Sequence, residues 1–156
     1  MKRKKLLISL LFVVALVVIA AVPVMAATTD TTEITGEVVA VIDVTAPSDI
    51  NLGTMALGDN LACSATPGTV TCNAEHWQVT AEDEKISNTG YMTSGANVLA
   101  NKFQLSETGS VYANADAGIT YDGNPETLPL CVKQEVTSDD LAGFYSITIT
   151  FIGVLQ

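Results

Sequence analysis

The stretch YSITITF, residues 145–151, alternates large apolar side chains with small polar ones without a break. Successive side chains of an extended strand point to opposite faces, so the apolar members of this run would share one buried face. Aromatic and β-branched residues are also the types that a pleated, half-buried surface accommodates best. The run therefore predicts a strand with one face in a core and the other in solvent.

The same two-residue period recurs along the rest of the chain. Residues 34–44 alternate in this way, and further strands are predicted near residues 50–57, 68–74, 76–82, 102–106, 118–121 and 129–137. Turn-forming residues separate these segments, and no long helical period is present to supply the crossovers that a parallel sheet needs. We therefore expect an all-β fold, an antiparallel Ig-like or Greek-key β-sandwich of about 7–9 strands over residues 34–156.

The first 26 residues have the three parts of a secretory signal peptide. A basic start at residues 2–5 precedes an apolar run from Leu6 to Val22, and small residues flank a cleavage site after Ala26. An uncleaved N-terminal anchor is the alternative, because the apolar run is close to the lower length limit for a membrane span. We expect cleavage, followed by a flexible lead-in over residues 27–33.

Charge narrows the range of partners. The whole chain has 7 Lys and Arg against 17 Asp and Glu, a formal net charge of −10. Four of those cations lie at residues 2–5, so the chain beyond the leader carries three lysines against seventeen acids, a net charge of −14. Such a surface lacks the clustered cations that nucleic acids and anionic lipids require. We expect no nucleic-acid partner and, once the leader is removed, no membrane partner.

Three cysteines in an exported chain predict one disulfide and one remaining thiol. A turn centred on residues 67–68 would place Cys63 opposite Cys72, within disulfide reach. Two free thiols and a Cys72–Cys131 bridge are the alternatives. Alternation along its own strand turns Cys131 outward, which predicts a free or intermolecular thiol there.

Two stretches resemble the WxL domains of Gram-positive surface proteins. Residues 76–81, HWQVTA, resemble their first Trp-x-Leu strand, and residues 142–151, AGFYSITITF, resemble their terminal strand. Val79 stands where WxL domains have Leu, and Phe151 stands where they have the terminal Trp. The resemblance therefore implies a β-sandwich of the cell envelope without implying attachment to peptidoglycan.

Other stretches resemble secreted surface proteins more broadly. Residues 50–55, INLGTM, are similar to the opening strand of many secreted Ig-like surface domains. These stretches, taken together with residues 90–95, GYMTSG, also resemble short secreted β-sandwich proteins of methanogenic archaea. These similarities again imply a protein of the cell envelope.

Few residues are candidates for binding chemistry. Tyr91 and Tyr112 lie in predicted loops and are the aromatic candidates for glycan contact, whereas Trp77 heads an apolar alternation and is expected in the core. A weak calcium site is the metal hypothesis, since oxygen-bearing side chains cluster in two neighbouring loops. Its four candidate ligands are Asn114, Asp116, Asp122 and Asn124.

Catalytic residues are not apparent. The single histidine, His76, is expected at the surface, and no nucleophile elbow accompanies it. We expect no enzyme and no cofactor apart from the calcium hypothesis.

The predicted function is that of an exported, non-enzymatic β-sandwich of the cell surface, structural or self-associating, with envelope components or itself as partner. Envelope polysaccharide binding is the alternative, and a secreted hydrolase is the residual one. The apolar N-terminal strand at residues 34–44 suits donation to a neighbour's sandwich. Pairing within its own sheet is favoured, because sequential strands usually pair locally.

Overall fold

The computed structural model describes residues 32–156, and every regular element in that part of the chain is a β-strand. The predicted all-β class is confirmed, although the strands are shorter and more numerous than the roughly 7–9 expected. No helix among the described residues is long and apolar enough to cross a membrane. The predicted signal peptide, residues 1–26, and most of the lead-in lie outside the described part.

Residues 38–156 form one compact unit. Its strands are β1 (Ile42–Thr45), β2 (Gly58–Cys63), β3 (Gly68–Cys72), β4 (Trp77–Glu82), β5 (Thr93–Ser94), β6 (Asn97–Val98), β7 (Gln104–Ser106), β8 (Ala113–Asn114), β9 (Ile119–Tyr121), β10 (Thr127–Leu128), β11 (Cys131–Val136) and β12 (Thr150–Leu155).

These strands pair antiparallel in three main sheets. Sheet A has the order β1-β3-β10, sheet B the order β2-β11-β7-β8, and sheet C the order β12-β4-β9. A two-stranded ribbon joins β5 to β6. The consecutive strands β2, β3 and β4 each lie in a different sheet. This crossing of the chain between layers gives the fold its sandwich-like character.

Sheets A and C share one apolar cluster. Its buried residues are Val70, Val79, Ala81, Tyr121 and Leu128. Burial raises the pKa of the Tyr121 phenol, and its hydroxyl donates a hydrogen bond to the Pro129 carbonyl at 2.6 Å. Strands β1 and β12 approach so closely that a Cβ at Gly153 would lie 2.7 Å from Cγ2 of Val44. Only glycine allows this approach.

Sheet B carries a second apolar cluster on its inner face. Its buried residues are Met92, Leu99, Phe103, Leu105, Ala115, Leu130 and Val132. Partly buried side chains from two extended segments, residues 46–57 and 141–149, pack over it. Ile149 and Phe151 contact both clusters, so the run that predicted the fold joins the two parts of the core.

Two predicted strands are displaced along the chain. The apolar side chains of residues 145–151 are partly buried against the core, on the face that the alternation predicts, but strand β12 begins only at Thr150. Residues 50–57 form no strand, because Gly53 has a φ of 65° and its N–H donates to Oδ1 of Asn51 at 2.8 Å. This local turn interrupts an extended ladder. Strand β2, Gly58–Cys63, begins instead just after this segment.

The disulfide joins Cys63 to Cys131, so the predicted Cys63–Cys72 pairing is wrong. Its two cysteines face each other across β2 and β11, with Cα atoms 3.9 Å apart. Residues 67–68 carry the chain from sheet B to sheet A instead of closing a hairpin, and Cys72 therefore faces Ile42 of β1. Cys72 keeps a free thiol, whereas Cys131, predicted free or intermolecular, is bonded.

Removing the disulfide tests its share of stability. It links residues 68 apart, and the chain-entropy model assigns a loop of that size about 4 kcal/mol. The double variant Cys63→Ser, Cys131→Ser should lose about that amount of unfolding free energy in guanidinium titrations followed by Trp77 fluorescence. Cys72→Ser is the control and should change it by less than about 1 kcal/mol. Equal losses in the two variants would contradict this assignment.

Candidate functional site

An open groove lies over sheet B, between the two extended segments that cover it. Residues 46–55 form one wall and residues 140–149 the other, and the groove has a volume of about 1150 Å³. Its floor consists of core side chains, namely Met92, Leu99, Phe103, Leu130 and Val132. The rim mixes polar residues with exposed apolar ones, of which Phe144 is 99% exposed and Leu141 is exposed nearby. Apolar surface of this kind marks a site where another molecule or segment binds.

Both walls of the open groove offer unpaired backbone. Among the described residues, the backbone of residues 50–55 makes a single hydrogen bond, from Gly53 to the Asn51 side chain. On the other wall, Ser146 forms an isolated bridge with Thr93, and residues 147–149 pair with no described strand. Free backbone N–H and C=O groups can pair with an added strand, except where the turn at Gly53 bends the first wall.

The charge of the open groove excludes anionic ligands. Its charged lining residues are two acids, Asp49 and Asp140, and no cation accompanies them among the described residues. Burial alone would raise the pKa of Asp140, but hydrogen bonds from the N–H groups of Thr137 and Ala100, each 2.7 Å long, outweigh it and lower that pKa. Asp140 thus fastens a loop, and the groove suits an uncharged, apolar occupant.

An exposed apolar segment precedes β1. The predicted strand at residues 34–44 is realised only from Ile42, which pairs within sheet A as local pairing predicted. Val38 is 86% exposed, and Val39 and Val41 are exposed too. Asn73 holds the end of the segment next to β1: its Oδ1 accepts from Val41 N–H at 2.6 Å, its Nδ2 donates to the Val39 carbonyl at 3.0 Å, and its backbone N–H donates to the Val41 carbonyl at 3.3 Å. These valines bury little apolar surface within their own chain.

A second, polar site lies on the outer face of sheet B. Lys102 stands over the Tyr91 ring and Lys133 over the Tyr112 ring, each Nζ 5.7 Å from the ring centroid. Ammonium groups at this distance are attracted to the ring face. A cleft of about 360 Å³ brings Tyr91 and both lysines together with the side chain of Gln104. We call Tyr91, Lys102, Tyr112 and Lys133 the lysine–tyrosine face.

Carboxylates neutralise both cations of the lysine–tyrosine face. Lys102 pairs with Asp116, and Nζ of Lys133 lies 3.6 Å from Oδ2 of Asp59. The hydrogen bond from Lys102 lowers the pKa of Asp116 and raises that of Lys102. The face therefore presents aromatic rings and polar groups with little net charge, which suits an uncharged polar ligand better than an anion.

The structure separates the four predicted calcium ligands into two places, so they form no common site. Asp116 pairs with Lys102, and Oδ1 of Asn114 accepts from Gln104 at 3.2 Å. Asn124 lies at the other end of β4, where its Oδ1 accepts from Trp77 N–H at 2.8 Å. Asp122 is exposed beside it. Strand β9 is extended between the two pairs and holds them apart.

The metal and catalytic candidates gain no support elsewhere in the described part. No group of three or more His, Cys, Asp or Glu side chains among residues 32–156 is arranged to hold a metal ion. His76 is exposed, in the position the sequence predicted. Trp77 packs against the core shared by sheets A and C, also as predicted.

Sequence reasoning identified the two tyrosines but missed the lysines beside them and the open groove. Gly53 inside a predicted strand was the one local signal for the groove, since an isolated glycine often marks a broken ladder. No local signal pairs Lys102 with Tyr91 or Lys133 with Tyr112, because those contacts depend on how the strands are ordered in sheet B.

No protein-family model and no curated protein matches the chain. The residues of the open groove and of the lysine–tyrosine face therefore carry the functional argument.

The Lys102–Asp116 pair makes a prediction about pH. In Lys102→Met the Asp116 carboxyl loses its hydrogen-bond donor, so its pKa should rise towards the ordinary value of 3.8. A depressed carboxyl pKa stabilises the fold above the unfolded-state value, and that contribution disappears as the pH falls through the folded-state pKa. Carboxyl-carbon NMR titration measures the shift.

Asp140 is the internal control for that titration. Its pKa is lowered by Thr137 and Ala100, so Lys102→Met should leave it unchanged. An Asp116 pKa that stays equally low in Lys102→Met would show that Lys102 is not the cause.

Proposed function

We propose that the protein is an exported, non-enzymatic β-sandwich of the cell envelope that associates with itself. The observation that carries this proposal is the open groove, whose apolar floor and unpaired walls leave sheet B incompletely covered. Apolar surface that lies beside unpaired backbone is suited to bind another segment or molecule. A second copy of the same chain can be that partner, and no other molecule is then required.

Three further features support the export part of the proposal. The N-terminal 26 residues have the pattern of a secretory leader. A disulfide such as Cys63–Cys131 persists in oxidising compartments outside the cytosol. A body with three lysines against seventeen acids stays soluble outside the cell through like-charge repulsion, while it repels anionic surfaces.

Export and assembly are tested together in the native host. The chain should be recovered from the envelope fraction with Ala27 as its first residue. Sedimentation velocity should show species larger than a monomer at micromolar concentration for the native chain and for Cys72→Ser alike, because the free Cys72 thiol is not the proposed contact. Recovery from the cytoplasm with an intact leader, or a strict monomer at every concentration, would refute the proposal.

Binding of an envelope polysaccharide is the second candidate function, and the lysine–tyrosine face favours it. Of the two candidate glycan contacts, Tyr91 lines the polar cleft on the outer face of sheet B, and Tyr112 lies under Lys133, which lines the same cleft. Aromatic rings among amide and hydroxyl groups are typical of sites for polar, ring-shaped ligands.

The two rings provide the test of this second function. Tyr91→Ala combined with Tyr112→Ala should reduce retention on immobilised envelope polysaccharide by about tenfold or more, as expected when rings worth about 1 kcal/mol each are removed. Thr127→Ala, an exposed substitution on β10 of sheet A, is the matched control and should leave retention unchanged. Retention that is equal in both variants would exclude the lysine–tyrosine face as the glycan site.

A further inference from the structure

We propose that residues 34–41 of a second copy of this chain occupy the open groove as an added β-strand between its two walls. This inference rests on the proposed self-association and names its contact. The groove supplies an apolar floor and unpaired backbone edges, and the segment supplies an apolar strand that its own chain leaves exposed. Strand addition satisfies both, because main-chain hydrogen bonds hold the inserted segment and side-chain pockets select it.

The side-chain pattern of the segment matches the groove in one orientation. One face of an extended strand carries only uncharged residues, Ile34, Gly36, Val38 and Ala40, while the other carries Glu33 and Glu37 together with Thr35, Val39 and Val41. With the uncharged face on the floor, both carboxylates point to solvent. The opposite orientation would bury carboxylates beside the groove's own Asp49 and Asp140, which like-charge repulsion and desolvation oppose.

The dimensions match as well. Eight extended residues, 34–41, span about 26 Å at about 3.3 Å per residue. Each wall of the groove is a continuous stretch of ten residues, 46–55 and 140–149. The segment is therefore long enough to lie along most of either wall.

The direction of β1 favours a second copy over the same chain. Strand β1 runs antiparallel to β3, with Ile42 opposite Cys72 and Thr45 opposite Thr69. Residues 38–41 leave β1 at the Ile42 end, beside Asn73, whereas the groove wall begins at Ala46, beyond the other end. To reach its own groove the segment would have to reverse and run back past β1.

The position of the chain end also favours donation. With the proposed cleavage after Ala26, residues 27–33 precede the segment, so a strand donated from this position enters a neighbour without threading a loop. Each copy then has one segment to donate and one groove to fill. Such a head-to-tail contact leaves a free segment and a free groove at the two ends of every assembly, so it extends into a chain of copies or closes as a ring.

A charge placed on the floor-facing side tests the contact. In the chain expressed with its own leader, Val38→Asp should reduce the assembled fraction at a fixed concentration by about tenfold or more, since a carboxylate would be buried in the groove. Thr35→Asp adds the same charge on the solvent-facing side and should leave the assembled fraction within about twofold of the native chain. Both substitutions lie before β1, so the packed core is unaltered and monomer folding is preserved.

Cross-link mapping identifies the occupant. A benzoylphenylalanine at position 38 of an unlabelled chain, mixed with a ¹⁵N-labelled native chain, should cross-link to labelled peptides from residues 46–55 and 140–149. The same photoactivatable residue at Thr120, exposed on β9, should give no labelled peptide from either wall. Cross-links to the walls of the unlabelled chain alone would show that the segment fills its own groove, and would overturn the inference.

The outcomes separate this inference from the proposed function. If the native chain assembles and Val38→Asp assembles equally well, the donated strand is refuted while self-association stands. If position 38 cross-links instead to an unrelated envelope protein, a second copy is not the occupant and the inference again fails. If the native chain never assembles, the proposed function itself falls.

Discussion

The burial of one apolar face along residues 145–155 holds the two parts of this protein together. Ile149 and Phe151 contact both apolar clusters, one on sheet B and one between sheets A and C. Residues 145–149 pack on sheet B and form only the isolated bridge at Ser146, whereas residues 150–155 pair with β4 as strand β12. The two clusters therefore form one continuous core, and loss of either large side chain would weaken both.

This arrangement covers sheet B incompletely. Residues 150–155 form the edge strand β12 of sheet C. The inner face of sheet B is therefore covered only by two segments that form no strand, and the open groove lies between them. The disulfide offsets the missing cover, since Cys63 and Cys131 fasten β2 to β11 within that same sheet. Its contribution of about 4 kcal/mol is large beside the 5–15 kcal/mol of a typical domain. The covalent bond thus stabilises a sheet whose inner face is covered only in part.

The two candidate sites lie on opposite faces of sheet B and have different chemistry. Along β11, Val132 points into the core beneath the groove, and Lys133 points to the lysine–tyrosine face. The groove is apolar, with two acids and no cation among its described lining residues, so it suits a strand with an uncharged face. The outer face joins two of the three lysines beyond the leader to aromatic rings, so it suits a polar ligand. Assembly through one face would leave the other exposed on every copy.

The sequence by itself determined the all-β class, the buried face of residues 145–151, the burial of Trp77 and the exposure of His76, because alternation and side-chain type act over a few neighbouring residues. Only the tertiary structure decided the disulfide, the groove and the lysine contacts, because each depends on which strands are neighbours. Cys63 pairs with Cys131 across 68 residues once β2 lies beside β11, and no local turn at residues 67–68 encodes that choice. The four calcium candidates are divided for the same reason, since strand β9 carries Asp116 and Asn124 to opposite ends of β4. Periodicity fixes which way a side chain points, and sheet order fixes what it meets.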